Sequence, residues 1–161
     1  MSYKIDIKTA DDLWIGFFDG SGTRDPVKII FNQRVIDANG NFQFYKANIP
    51  LNDKKQLKRG SLNTYDITSY INQLPNFNED TLKGITDSII IEKDNNFYGI
   101  IKNTNQTVLP IGVSISNNWK LESIRIYYQD VNGNQRTILE KTPNIILNRK
   151  NNYYYIPDPN I

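Results

Sequence analysis

Leu121-Glu122-Ser123-Ile124-Arg125-Ile126-Tyr127-Tyr128 passes through Asp130-Val131-Asn132-Gly133-Asn134 into Gln135-Arg136-Thr137-Ile138-Leu139-Glu140. Apolar and polar residues alternate along the first arm, the period of a strand with one buried face. Asn132-Gly133 supplies the positive φ that a tight hairpin needs. The stretch therefore reads as an antiparallel hairpin. Trp119 falls on the same face as Leu121 and is expected in the core.

The rest of the chain repeats this pattern. Tyr3-Lys4-Ile5-Asp6-Ile7-Lys8 alternates strictly. Val27–Phe31, Phe42–Ala47 and Asn63–Ile67 read as further strands, with Asn39-Gly40 as a turn between Val35-Ile36 and Phe42. Asp87–Glu92 and Phe97–Lys102 read as a pair around Asp94-Asn95-Asn96. Asn144–Leu147 and Tyr153–Ile156 are candidate closing strands; the three tyrosines could also stack on sugars or bases. Only Thr68–Leu74 could form a turn or two of helix, ended by Pro75. Many short strands separated by Asn, Gly and Pro loops predict an all-β fold, an antiparallel β-sandwich of about eight strands. The expected organisation is one domain over residues 1–161 with a short extended C-terminal tail at Pro157-Asp158-Pro159.

Composition narrows the chemistry. The 161 residues contain no Cys and no His. Disulfides, thiolate metal sites and Cys or Ser–His nucleophiles are excluded. No carboxylate pair is placed for acid–base work and no phosphate-binding Gly loop is present, so the expectation is a binding protein and not an enzyme. A net charge of +2 is too mild for a dedicated nucleic-acid binder. The one basic cluster, Lys54-Lys55-Gln56-Leu57-Lys58-Arg59, reads either as a solvated loop or as a phosphate contact. The N-terminus lacks an apolar core of signal-peptide length, and no window is long enough for a transmembrane helix. The expectation is a soluble chain, cytoplasmic or exported by a non-signal route.

Three islands follow one another. The first is Tyr3–Asp11 with Gly22-Thr23-Arg24-Asp25-Pro26-Val27; the second is Leu51-Asn52-Asp53 with Leu57-Lys58-Arg59-Gly60-Ser61-Leu62-Asn63-Thr64-Tyr65-Asp66-Ile67; the third is Trp119–Ile126. In order and spacing they resemble the PLAT family, named for polycystin, lipoxygenase and alpha-toxin. The resemblance spans roughly Tyr3 to Leu147. Arg24 stands where that family usually has Asp, Asn63 replaces an Asp, the loop from Asp12 to Ser21 is longer, and Asn117-Asn118 precede the Trp. The family implies an eight-stranded sandwich that docks on membranes, lipids or partner proteins. Its bacterial toxin version, similar in the opening strand, binds phospholipid with calcium.

On that resemblance a calcium site would draw on Asp11, the Gly22 and Thr23 carbonyls, Asp25, and Asn52 or Asp53. Calcium wants six to eight oxygens, and these residues supply oxygen. Arg24 opposes a cation there, and the alternative is that it pairs with Asp11 or Asp53 in place of the ion. Leu13-Trp14-Ile15-Gly16-Phe17-Phe18 reads either as a buried strand or as a wedge, with Trp14, Phe17 and Phe18 entering the membrane interface. Lys54, Lys55, Lys58 and Arg59 would add attraction to anionic lipid. The expected function is attachment to membrane phospholipid with calcium assistance, in a bacterial toxin-like or secreted system. The alternative is a protein–protein interaction module with neither metal nor lipid.

Overall fold

Strand β1 (Ser2–Thr9) buries Tyr3, Ile5, Ile7 and Thr9 and turns the intervening residues outward. This is the period of two that its sequence carries. It lies between β4 (Leu62–Asp66) and β6 (Trp119–Gln129), antiparallel to both. The other side of β6 is taken by β7 (Gln135–Lys141) and then by β8 (Ile145–Leu147). Those two lie end to end. Pro143, which has no N–H to give a ladder, sits in the gap between them, and Asn144 follows at φ 47°.

The second sheet has the order β3-β2-β5-β9. It comprises β2 (Val27–Ile36), β3 (Phe42–Pro50), β5 (Thr86–Lys93) and β9 (Tyr153–Ile156), all pairings being antiparallel. The computed structural model describes residues 2–11, 22–23, 26–52, 55–75, 86–93, 118–148 and 151–156, with the backbone alone at 34–35, 86–90 and 92–93. Nine strands are described. Because β7 and β8 share one side of β6, they fill four positions in each sheet.

Both sheets feed one core. Ile5, Ile7, Ile124, Ile126 and Trp119 come from the first sheet, and Ile29, Phe31, Ile49 and Ile91 from the second. Burying side chains of this size contributes about 1.5–3 kcal/mol each. Trp119 is core, as expected, and its Nε1–H donates to the Thr9 hydroxyl at 2.9 Å. A short helix, α1 (Thr68–Ile71), follows β4 and lies against β1 and β3. Asp66 accepts the Thr68 N–H at 2.9 Å, and the Thr68 hydroxyl accepts the Tyr3 N–H at 2.9 Å. Among the described residues no helix is long and apolar enough to cross a membrane.

Strand β5 pairs with β2 on one side and with β9 at Ile89–Glu92 on the other. Both of its edges are therefore occupied there, and the strand expected at 97–102 lies outside the described residues. The tyrosine-rich segment is β9, the closing strand expected there and an edge among the described residues, with Ile156 inside and Tyr153 and Tyr155 exposed. The tail from Pro157 lies outside the described residues.

Candidate functional site

Three parts of the chain meet where β1 ends and β2, β4 and β6 begin. Thr9 N–H donates to the Ser61 carbonyl at 3.0 Å, and Ala10 N–H to the Lys120 carbonyl at 3.0 Å. Gly60 N–H returns to the Ala10 carbonyl at 3.1 Å. Thr23 and Leu57 exchange both backbone hydrogen bonds, at 3.0 and 2.7 Å. The three sequence islands are thus one place in space.

Asn52 ties in the second sheet. Its buried side chain accepts the Val27 N–H at 2.9 Å and donates to the Lys55 carbonyl at 3.0 Å. One amide thereby closes a turn and caps the start of β2. Gly22 is required by close approach: a Cβ there would stand 2.8 Å from the Leu57 carbonyl oxygen and 3.0 Å from the Arg59 nitrogen. Both of those atoms are backbone and cannot swing aside. Leu57 is buried as a peg, while Lys55, Lys58 and Arg59 are exposed around it.

Arg59 Nε lies 3.2 Å from Asp11 Oδ1. Their side chains are 40% and 76% exposed, so the pair contributes little to stability. It matters for chemistry instead, since among the described residues the cation beside Asp11 is Arg59. Arg24, the candidate from sequence, lies outside the described residues. Of the predicted site residues, Asp11, Gly22, Thr23, Asn52, Lys55, Lys58 and Arg59 are brought to this one end. Trp14, Phe17, Phe18, Asp25, Asp53 and Lys54 lie outside the described residues.

The described oxygens meet calcium's needs in part only. The Asp11 carboxylate is held by Arg59, the Asn52 side-chain oxygen by Val27, and the Thr23 carbonyl by Leu57. Among the described residues no group of three acidic side chains could hold a metal ion.

Two further features were missed at the sequence level. On the outer face of the first sheet, Asp6 Oδ1 accepts from the Thr64 hydroxyl at 2.7 Å and from the Tyr127 hydroxyl at 3.3 Å. The Arg125 guanidinium lies 4.3 Å from the centre of the Tyr127 ring and bonds Thr137 and Gln135. Burial, aided by the Asp6 carboxylate, pushes the Tyr127 phenol above its ordinary pKa. Alternation signals that face only as polar. At the far end, Ile36, Phe42, Phe44 and Val131 are exposed, Phe44 to 75% and Val131 to 84%. No protein-family model matches the sequence, and no curated protein matches it.

Proposed function

We propose that this protein is a non-catalytic module that attaches to anionic lipid surfaces through the end bearing Lys55, Lys58 and Arg59. One observation carries the reading. Ala10 and Thr23, which flank in sequence the segment carrying Trp14, Phe17 and Phe18, are both hydrogen-bonded to residues 57–60. The two ends of the sequence that carries the apolar stretch are therefore both tied to the basic stretch. Weak attachment to membranes takes two such signals, apolar insertion and cationic attraction. Each cation near an anionic surface contributes about 1 kcal/mol. The resemblance to PLAT domains and their eight-stranded sandwich supports the same use. Calcium would enter this reading only by drawing Asp11 away from Arg59.

Co-sedimentation with phosphatidylserine-containing vesicles tests the proposal, run with calcium and with chelator. Retention is expected on anionic vesicles and is expected to weaken with salt. Lys58→Gln should weaken it about fivefold with an unchanged melting temperature. Retention by no vesicle composition, with or without calcium, would sink the reading and leave the protein-interaction alternative. If calcium binds the folded state, it must raise the melting temperature.

A further inference from the structure

Among the described residues, strand β3 is an edge of the second sheet. It pairs with β2 from Lys28↔Pro50 to Ile36↔Phe42 without a register shift. Asp37 N–H bonds the Asn41 carbonyl at 2.8 Å at one end, and Leu51 N–H bonds the Val27 carbonyl at 2.9 Å at the other. Antiparallel ladders alternate bonded and non-bonded pairs, so the odd-numbered residues of β3 bond β2. Phe44, Lys46 and Asn48 then direct their N–H and C=O groups to the open side, where no described strand lies. Pro50 belongs to the same set, so its missing N–H takes nothing from the β2 ladder.

The same even-numbered residues carry their side chains on the outer face, because Ala47 and Ile49 are the buried ones. Phe44 stands out into solvent there with Lys46 beside it. Long, regular, apolar edges are templates for pairing with another strand. A single Lys usually guards such an edge, and its effect depends on what it would face.

We propose that two copies of this chain pair through β3, antiparallel about a two-fold axis at Tyr45. This proposal does not depend on the lipid reading. Self-complementarity selects the register. With the axis at Tyr45, Phe44 faces Lys46 of the second copy and Lys46 faces Phe44, so each cation meets the negative face of a ring. Moving the axis to Lys46 sets Lys46 against Lys46, a like-charge pair that opposes pairing. Moving it to Phe44 drives Asn48 against Gly40 in the turn and shortens the ladder. The axis at Tyr45 combines a ring opposite each Lys46 with overlap over Phe42–Asn48, against Phe42–Lys46 for the axis at Phe44, and sets no like charges against each other. Such a contact is isologous and closes at two copies.

Sedimentation equilibrium of the full chain, with circular dichroism as a check on folding, tests the proposal. A concentration-dependent dimer is expected. Phe44→Lys should weaken it by about tenfold or more, since Lys then faces Lys46. Phe44→Glu should retain it, since Glu then faces Lys46. The chain has no Cys, so single substitutions report the register. Tyr45 faces itself in a non-bonded pair, at a spacing that suits a disulfide. Tyr45→Cys should therefore cross-link under oxidation faster than Phe44→Cys or Lys46→Cys. A protein that stays monomeric at its highest soluble concentration overturns the proposal. So does a dimer indifferent to Phe44→Lys, or one that Phe44→Glu abolishes, and so would β3 pairing only with the strand of another protein.

Discussion

Thr9 and Gln33 are two buried polar residues with opposite standing. The Thr9 hydroxyl accepts the Trp119 indole N–H, and both residues are fully buried. The Gln33 amide is also buried, beside the bulge between Asn32 and Gln33, yet among the described residues neither its oxygen nor its nitrogen has a partner. A buried polar group left unsatisfied costs about 1–3 kcal/mol. Thr9→Val keeps the shape and strands the indole N–H, so it should lower unfolding free energy by about that amount. Gln33→Met removes an unsatisfied amide and should raise it by roughly 1 kcal/mol. Urea unfolding measures both, and equal signs would refute the argument. Neither residue's role was legible in the sequence. Thr9 ends an alternating strand whether or not an indole lies above it, and that partner is 110 residues away. Asn52 is similar: it reads as a loop residue or an oxygen ligand, and only the fold makes it the peg between Val27 and Lys55.

At the scale of elements, strands were legible and their company was not. Alternation in β1 and β6 placed Ile5, Ile7 and Ile126 inside with no further information. The hairpins were legible through Asn-Gly, and the structure shows a fuller signal. Asp37-Ala38-Asn39-Gly40-Asn41 and Asp130-Val131-Asn132-Gly133-Asn134 share one pattern. In each, the Asp carboxylate accepts the backbone N–H groups two and four residues on. Gly133 takes the positive φ of 85°. Strand β3 shows where alternation misleads: the larger apolar residues Phe42 and Phe44 point outward because Ala47 and Ile49 fix the parity.

The turn also predicts a response to acid. The Asn134 side chain, with the backbone N–H groups of Asn134 and Asn132, holds the Asp130 carboxyl below its ordinary pKa. A lowered folded-state pKa means this support is complete above the ordinary aspartate value near ~4 and is lost as pH falls through the lower folded value. Amide exchange in the Gln129–Gln135 hairpin should therefore accelerate below about pH 4, beyond the intrinsic rate, and Asp130→Asn should flatten that dependence. An unchanged profile in the variant would remove Asp130 as the cause.

At the scale of the whole molecule, the two ends differ in chemistry. One gathers Lys55, Lys58, Arg59 and the two anchor points of the apolar segment. The other exposes Ile36, Phe42, Phe44 and Val131. Strand β3 runs from the second end to the first, so pairing two copies antiparallel through it turns their basic ends in opposite directions. A dimer of this form cannot lay both basic ends on one flat bilayer, and it gains no avidity from a single surface. It bridges two surfaces instead. Turbidity and light scattering of anionic vesicles should therefore show clustering by the parent protein at a low protein-to-lipid ratio. Phe44→Lys should bind the same vesicles with the same affinity, because the substitution lies at the far end, and fail to cluster them. Lys58→Gln should weaken binding and clustering together while remaining dimeric. Clustering by Phe44→Lys as strong as by the parent would break the link between β3 pairing and bridging, even with attachment intact. Tighter binding by the dimer than by Phe44→Lys, with no clustering, would mean that both basic ends reach one surface, which antiparallel pairing through β3 forbids.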